Sequence, residues 1–587
     1  MKTFFKMLIA SILGGAILIF LIFFTLIGIG MAGQKEFELK ENSVLFLDLN
    51  YPINERESSN PFQNFDPISG QAQKTLGLYE IVKAIKEAKE NDKVAGIYIK
   101  SGNVEAGMGT LKEIRDALVK FKESGKFIIA FDENLSQRGY YLSSVADSIY
   151  VPEEGIVEFG GLSTAVPFYR KFLENVGIKA EVVRGSNNKF KSAVEPFLEY
   201  QISEANREQI TTFQNSIWSI IRADIATSRN IAPEKLDEIA NTREATIPQR
   251  AAELGLITRT AYLDEVRDVL VSLTKNEKYE DVQLASVSQV TSLKKSSKDK
   301  TKSSRDRIAI VFAQGEIGSG EGSDTEIGSD RIAEAIRKAH EDEKVKAIVM
   351  RVNSPGGAVL ASDIILREVI RAKEKKPFIV SFGDLAASGG YYISCMADTI
   401  VAQPTTITGS IGVFGLFFSA QDLLNNKLGI RFDVVKTHEY ADFGAIDRPL
   451  RESERQFLQR YIDKFYGGFL KKVASGRGLD SLYIDSIGQG RVWTGEWGLK
   501  LGLVDVLGGL QDAIDIAAKK AGLDAYKIVT YPEPVDPFKV ILKQLGFDSE
   551  LKLKKQLGIL YFYFEKIKSI YKQQGLLMRM EYDFHIQ

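Results

Sequence analysis

Cysteine and histidine are scarce in this chain, which has one cysteine, Cys395, and three histidines in 587 residues. A single cysteine excludes an intrachain disulfide framework and any zinc site built from several cysteines. With only three histidines, a metal cluster or a Ser-His-Asp triad is not favoured. The formal net charge of −1 gives no electrostatic basis for binding nucleic acid. We therefore expect no metal or other cofactor and no nucleic-acid partner, with Cys395 as a buried structural thiol.

Charge is also missing from a long stretch near the N-terminus. After Lys2 and Lys6 comes the uncharged run MLIASILGGAILIFLIFFTLIGIGMAG. A secretory signal peptide has an apolar region of only ~7–15 residues, whereas ~20 residues suffice to cross a bilayer. Residues 1–33 are therefore predicted to be a single transmembrane anchor in the inner (cytoplasmic) membrane, with a cleaved signal as the alternative. The preceding lysines place the N-terminus in the cytoplasm and the rest of the chain on the periplasmic, extracytoplasmic side.

The chain contains an internal repeat. Residues 82–161 align without a gap to residues 333–412, at a constant offset of 251. FIIAFDENLSQRGYYLSSVAD in the first copy and FIVSFGDLAASGGYYISCMAD in the second share nine of 21 positions. A duplicated fold is therefore expected.

Both copies alternate apolar, strand-like runs with amphipathic, helix-like segments. This alternation predicts an α/β fold in each copy, with helical extensions around Glu204–Ala240 and Glu452–Gly476. Between the copies, SLKKSSKDKTKSSRDR is rich in Lys and Ser and indicates an exposed linker. The predicted divisions are an N-terminal domain, a linker, a C-terminal domain and a tail without an assigned role, over residues 34–290, 291–306, 307–534 and 535–587.

The two copies differ at positions suited to chemistry. The second copy has Ser388-Gly389 where the first has Gln137-Arg138, and it has a Ser-Pro-Gly-Gly turn where the first has none. The first copy has the lysine-bearing segment KFKSAVEP, whereas the corresponding stretch of the second contains no lysine. A serine retained in one half and a lysine in the other suggest one site built from both.

The local pattern around Ser388 suits a nucleophile. A strand is predicted to end at Gly383, followed by a small-residue turn, so that Ser388 opens a helix. The first amides of that helix, including that of Gly389, could hold a developing oxyanion. An ordinary helix-capping serine is the alternative.

A serine hydroxyl needs a base, and a neutral lysine amine can serve where no histidine is available. Lys191 lies among apolar residues, and burial in such surroundings favours the neutral amine. Lys189 is the competing candidate, since either lysine could point inward.

Four motifs together resemble signal peptide peptidase A in its long, duplicated, membrane-anchored form. They are KSAVEPF in the first half, then SPGG, AASGGYY and TGSIGV in the second. The resemblance covers roughly residues 40 to 530, together with the anchor. It implies two tandem domains of the Clp protease/crotonase-like fold, a ring-like homotetramer and a Ser-Lys dyad.

Carried onto this chain, the resemblance assigns a role to five residues. Ser388 becomes the nucleophile, and Lys191 becomes the general base and later the general acid. Gly356 and Gly389 would form the oxyanion hole, and Ser410 would orient the lysine amine.

The expected function is a membrane-anchored serine endopeptidase that degrades hydrophobic peptides, such as released signal peptides, next to inner-membrane lipid. One alternative is a crotonase-like acyl hydrolase, although an exported location argues against a coenzyme A substrate. The other alternative is a non-catalytic membrane scaffold. The sequence leaves open whether Ser388 and Lys191 meet within one chain or between neighbours.

Overall fold

A computed structural model describes residues 14, 37–57, 65–66, 71–72, 74–293, 304–533 and 575–580. The predicted anchor, apart from residue 14, and most of the predicted linker lie outside these residues. Within the part of the chain that is described, no helix is long and apolar enough to cross a membrane. Only residues 575–580 of the predicted tail are described.

Each half of the chain contains a parallel sheet, and the two sheets have the same strand order. The first half contributes, from one edge to the other, Arg259–Thr260, Ser148–Val151, Phe127–Phe131, Val94–Lys100, Ser43–Asp48 and Leu284–Ala285. The second half contributes, in the corresponding order, Val506–Leu507, Thr399–Ala402, Phe378–Ala387, Val345–Ser354, Arg307–Gln314 and Lys527–Tyr531. Ile407–Gly409 and Val492–Thr494 extend the second sheet beside the strand Phe378–Ala387. The predicted α/β repeat is therefore present.

The helices that cover the sheets keep the offset found in the sequence. Leu78–Glu90 corresponds to Ser329–Glu341, and Met108–Lys122 corresponds to Val359–Lys373, with both ends displaced by 251 residues. In each helix the apolar positions recur at helical spacing and are buried, as in Ile81, Ala84, Ile85 and Ala88. Two large apolar clusters result, one centred on each half.

The remaining helices lie around these two layers. In the first half they are Gln137–Ser143, Arg170–Val176, Glu195–Leu198, Glu204–Arg229, Pro233–Thr242, Pro248–Glu253, Leu263–Thr274 and Val287–Thr291, with 3₁₀ turns at Glu244–Thr246 and Tyr279–Asp281. In the second half they are Gly389–Tyr392, Glu452–Arg477, Ser481–Ile487, Gly495–Lys500 and Leu510–Lys520, with a π-helical turn at Leu423–Lys427. The long helices Glu204–Arg229 and Glu452–Arg477 are the two predicted extensions.

A third, mixed sheet joins the halves. Its strands, in spatial order, are Lys179–Arg184, Phe414–Ser419, Gly575–Arg579, Gly356–Ala358, Glu316–Gly318 and Glu326–Gly328. Only the first strand comes from the first half, and it pairs antiparallel with Phe414–Ser419. This pairing carries the chain that follows Arg184, including the predicted lysine segment, into the second half. Three two-stranded pairs complete the sheets, namely Ile53–Asn54 with Leu76–Gly77, Phe65–Asp66 with Gln71–Ala72, and Asn134–Leu135 with Ile156–Val157.

One local prediction near Ser388 is wrong. The strand that begins at Phe378 does not end at Gly383, and no turn follows there, because the strand continues to Ala387. Its last residues, Leu385 to Ala387, pair with Ile407–Gly409 after a register shift in the neighbouring strand. New pairing partners therefore keep the chain extended where the small residues suggested a turn.

Candidate active site

Ser388 lies at a sharp corner between the strand Phe378–Ala387 and the short helix Gly389–Tyr392. Its φ of 54° is in the left-handed region, which a residue with a side chain rarely adopts. The Ser388 N–H donates to the Gly409 carbonyl at 2.8 Å, and the Tyr392 N–H donates to the Ser388 carbonyl at 2.8 Å. These bonds fix the corner from both sides, so the hydroxyl has a defined position. The side chain is fully buried.

Lys191 reaches Ser388 within the same chain. The Lys191 Nζ lies 3.0 Å from Ser388 Oγ, 2.7 Å from Ser410 Oγ and 3.1 Å from the Ser410 carbonyl oxygen. Only 1% of Lys191 is exposed. The competing Lys189 is exposed, and its Nζ lies 4.9 Å from the centre of the Phe190 ring. Of the two candidate lysines, Lys191 is therefore the one beside the serine.

Two residues that the sequence reasoning missed position the lysine segment. Gln209 Nε2 donates to Ser192 Oγ at 2.7 Å and to the Phe190 carbonyl at 3.2 Å. Gly490, in the second half, lies against Lys191 so closely that a Cβ there would be 2.5 Å from the Lys191 Cα. A polar residue on the apolar face of the helix Glu204–Arg229 was the available signal for Gln209. The signal for Gly490 was weaker, since glycine is common in turns.

The glycine turn lies against Ala387 and Gly389, the two residues that flank Ser388. Gly356 has a φ of 101°, a conformation that favours glycine. A Cβ on Gly356 would lie 2.6 Å from the Gly389 nitrogen, so the two predicted oxyanion segments touch. The Gly356 N–H itself donates to Ser354 Oγ at 3.1 Å. The next amide, that of Gly357, lies 3.0 Å from the position that a Cβ on Gly389 would take.

The equivalent corner of the first half holds a glutamine. Gln137 Oε1 accepts hydrogen bonds from the Gly160 and Gly161 amides at 2.9 and 2.8 Å. Its Nε2 donates to the Gly161 carbonyl at 2.8 Å. The glutamine amide thus fills the corner that Ser388 occupies in the second half, and its donors and acceptors are used by the local backbone.

A buried arginine in the strand Val345–Ser354, which leads to the glycine turn, joins the two halves. Arg351 donates to Glu55 at 2.6 Å and to Glu113 at 2.9 Å, both from the first half, and also to Ser381 Oγ and the Phe382 carbonyl. Burial raises the pKa of Glu55, an effect that Arg351 partly offsets. Burial alone would lower the pKa of Arg351. The neighbouring Glu113 and Glu55 carboxylates nevertheless hold this pKa above its ordinary value.

A cleft of about 430 Å³ opens beside the glycine turn and is lined by both halves. Met108 and Ile217 contribute apolar wall from the first half, and Leu385 and Ile407 contribute it from the second. Pro355 of the Ser-Pro-Gly-Gly turn lies at its edge. Polar and charged side chains, including Arg138, Glu316 and Asp384, line the rest of the cleft.

The arrangement supports nucleophilic chemistry on a carbonyl. An amine at 3.0 Å from a hydroxyl is within proton-transfer reach. Backbone amides close to the same hydroxyl are suited to a negatively charged oxygen.

Comparison with known proteins agrees with this chemistry. The model of peptidase family S49 matches residues 120–277 and 370–524, one segment in each half. Protease 4 of Salmonella typhi is 34% identical over 538 residues, covering 88% of this chain and 85% of that protein. Protease 4 of Haemophilus influenzae is 32% identical over 513 residues, covering 85% and 82%. The chloroplastic serine protease SPPA of Arabidopsis thaliana is 32% identical over 473 residues, covering 80% and 69%.

These matches extend over both halves and over most of each relative, which confirms the resemblance to signal peptide peptidase A. The chain is a serine protease that belongs to peptidase family S49.

Proposed function

We propose that this protein is an endopeptidase whose catalytic pair is Ser388 and Lys191. The observation that carries the proposal is the 3.0 Å contact between Lys191 Nζ and Ser388 Oγ, which joins the two halves within one chain. With the amine neutral, Lys191 removes the Ser388 proton while Oγ attacks a peptide carbonyl carbon. The resulting ammonium then gives that proton to the departing amine.

Deacylation reverses these roles. Lys191 takes a proton from water, the hydroxide attacks the acyl-serine ester, and Ser388 regains its proton. Ser410 accepts a hydrogen bond from the Lys191 amine through its hydroxyl at 2.7 Å and its carbonyl at 3.1 Å, and so orients the amine through both steps. The Gly389 amide, with an amide of the Gly356-Gly357 turn, stabilises the oxyanion.

The proposal extends to the substrates and to the cellular setting. We assign hydrophobic peptides, such as released signal peptides, because the chain resembles signal peptide peptidase A and because Met108, Ile217, Leu385 and Ile407 form an apolar part of the otherwise polar cleft beside the site. The uncharged run within residues 1–33 would anchor the chain in the inner membrane, with both domains on the extracytoplasmic side. Tethering raises the enzyme concentration near membrane-derived peptides. The proposal includes Clp protease/crotonase-like folds for the two domains and a homotetrameric assembly.

A fluorophosphonate probe tests the nucleophile. Wild type should be labelled stoichiometrically, and Ser388→Ala should not be labelled. Ser394→Ala is a matched control, because Ser394 is an equally buried serine six positions away whose hydroxyl donates to the Gly390 carbonyl at 2.7 Å. Labelling of Ser388→Ala at the wild-type rate would exclude Ser388 as the nucleophile.

A further inference from the structure

The strand that leads to Ser388 contains a bulge. Its partner strand, Val345–Ser354, contributes only Asn353 where this strand contributes the three residues 383 to 385. Bulges redirect a strand and are common beside active sites. This bulge ends three positions before Ser388. It therefore determines the path on which the chain enters the corner that holds the serine.

The side chain of Asn353 bonds to the bulge. Its Oδ1 accepts a hydrogen bond from the Leu385 N–H at 3.1 Å. The main chain of Asn353 leads directly into Ser354, whose hydroxyl accepts from the Gly356 N–H at 3.1 Å. Asn353 is thus bonded to the strand that carries the nucleophile and adjoins the glycine turn. Its position fixes the spacing between the two.

The other end of the Asn353 amide is held by the first half. Asn353 Nδ2 donates to Glu55 Oε1 at 2.7 Å, and Arg351 Nε donates to Glu55 Oε2 at 2.6 Å. Glu55 is only 2% exposed, and its N–H donates to Gln314 Oε1 at 3.0 Å. A Cβ on Gly383, the first residue of the bulge, would lie 2.4 Å from Glu55 Oε1. The carboxylate therefore packs directly against the bulge.

A second contact joins the first half to the same bulge. The N–H and the hydroxyl of Thr110 donate to the two carboxylate oxygens of Asp384, the middle residue of the bulge, at 2.7 and 2.8 Å. The first half also supplies Lys191. It therefore positions both members of the proposed catalytic pair, the lysine through its own segment and the serine through the bulge.

The equivalent corner of the first half lacks this asparagine. At the offset of 251 residues, Gly102 takes the place of Asn353. Asp132 stands in the place of Gly383 and accepts a hydrogen bond from the Gly102 N–H at 2.8 Å. The asparagine is thus present in the half that has the serine and absent from the half that has a glutamine instead. A residue needed only for the fold had less reason to differ in this way.

We propose that Asn353 and Glu55 form a positioning pair for the cleavage reaction. Asn353 sets the distance between the Ser388 hydroxyl and the amides of the glycine turn. Glu55 holds Asn353 in the orientation that does so, because Oδ1 must face the Leu385 N–H when Nδ2 is bound to the carboxylate. Neither side chain takes part in making or breaking bonds. The inference rests on the proposed Ser388–Lys191 chemistry.

Exchanging the two functional groups tests the pair. In Glu55→Gln two amide N–H groups face each other, and in Asn353→Asp two carboxylates do, so each single variant loses the hydrogen bond. The double variant Glu55→Gln/Asn353→Asp restores the bond in the opposite direction and keeps the net charge of the pair. All three variants exchange only a side-chain nitrogen and oxygen, so the packing is conserved.

The measurement is hydrolysis of an apolar fluorogenic peptide by the full-length protein in detergent. The kcat is divided by the number of sites that a fluorophosphonate probe titrates, so that unfolded protein does not count. Each single variant should lose about 10- to 100-fold in kcat per titrated site, with KM close to wild type, because misplaced reacting groups slow the chemical step. The double variant should be at least about 5-fold faster than either single variant.

Three outcomes would overturn the pair. They are single variants with the wild-type kcat, a double variant no faster than the slower single variant, and a loss of titrated sites at an unchanged kcat per site. The last outcome would show that the contact serves stability alone.

Asp132→Asn is the matched control, because it changes a carboxylate to an amide at the equivalent position of the first half. Asp132 accepts from Asn50 Nδ2 at 3.1 Å, and its variant should keep the wild-type kcat. A loss equal to that of Glu55→Gln would overturn the assignment to this bulge. Hydrolysis that persists in Ser388→Ala would overturn the proposed function. Hydrolysis that depends on Ser388 but not on the pair would overturn only this inference.

Discussion

Replacing Ser410 by alanine removes one acceptor from the lysine amine and changes little else. The Ser410 hydroxyl lies 2.7 Å from Lys191 Nζ, whereas the carbonyl of the same residue, at 3.1 Å, is kept in the variant. Ser410 has a φ of 49°, and alanine needs no more room there than serine. The Ser410 N–H that donates to the Arg491 carbonyl at 2.7 Å also remains. The substitution thus isolates a single hydrogen bond.

The size of the effect follows from the charge on the amine. Lys191 becomes an ammonium as Ser388 attacks, and a hydrogen bond to a charged group contributes about 1.5–3 kcal/mol. Its loss should lower kcat/KM by about 10- to 150-fold. The acid limb of the pH profile should move to lower pH, because the ammonium loses an acceptor that stabilised it.

The assay is hydrolysis of an apolar fluorogenic peptide between pH 5 and pH 10, with Ser394→Ala as the control. Ser394→Ala loses a buried serine hydrogen bond without touching the lysine, so its pH profile should match wild type. A Ser410→Ala enzyme with wild-type kcat/KM and an unmoved acid limb would refute the role of Ser410. A loss of activity shared equally by both variants would indicate a packing effect instead.

Two other predictions concern residues outside the catalytic pair. Burial raises the pKa of Cys395 to about 12. Its thiol should therefore not react with an aromatic disulfide reagent at pH 8 until the chain is unfolded. Labelling of the native protein would contradict the burial of Cys395. Because this thiol ionises more readily in the unfolded chain, it should lower the free energy of unfolding as the pH rises above 9. Arg351→Met should lower the free energy of unfolding by about 3–5 kcal/mol in urea denaturation, because two buried carboxylates lose their partner. The exposed Arg337→Met should cost about 1 kcal/mol or less, and equal losses would contradict the buried network.

The repeat and the position of the site could be predicted because both depend on local sequence. Apolar runs and amphipathic segments determine the parallel sheets and their covering helices, and the ungapped alignment fixed helix ends at the same offset in both halves. Ser388 stood out because its counterpart is Gln137. The segment with Lys189 and Lys191 stood out because the corresponding stretch of the second half lacks a lysine, and the resemblance to signal peptide peptidase A selected Lys191.

The missed features depend on pairing between distant segments. The strand from Phe378 continues to Ala387 because Ile407–Gly409 offers a second partner, which composition around Ser388 does not reveal. The mixed sheet brings residues 179–184 beside residues 414–419, more than two hundred positions later. The pairing of the tail strand Gly575–Arg579 with Gly356–Ala358 and Phe414–Ser419 could likewise not be predicted, because the sequence of the tail shows only a mixture of apolar and basic residues.

The central claim is that the amine of Lys191 exchanges a proton with Ser388. Measuring kcat/KM for Lys191→Arg beside Lys189→Arg tests it most directly, because a guanidinium does not give up its proton at working pH. We predict a loss of about 100- to 10,000-fold for Lys191→Arg and activity close to wild type for the exposed Lys189→Arg. Substantial activity in Lys191→Arg, or an equal loss in both variants, would contradict the account.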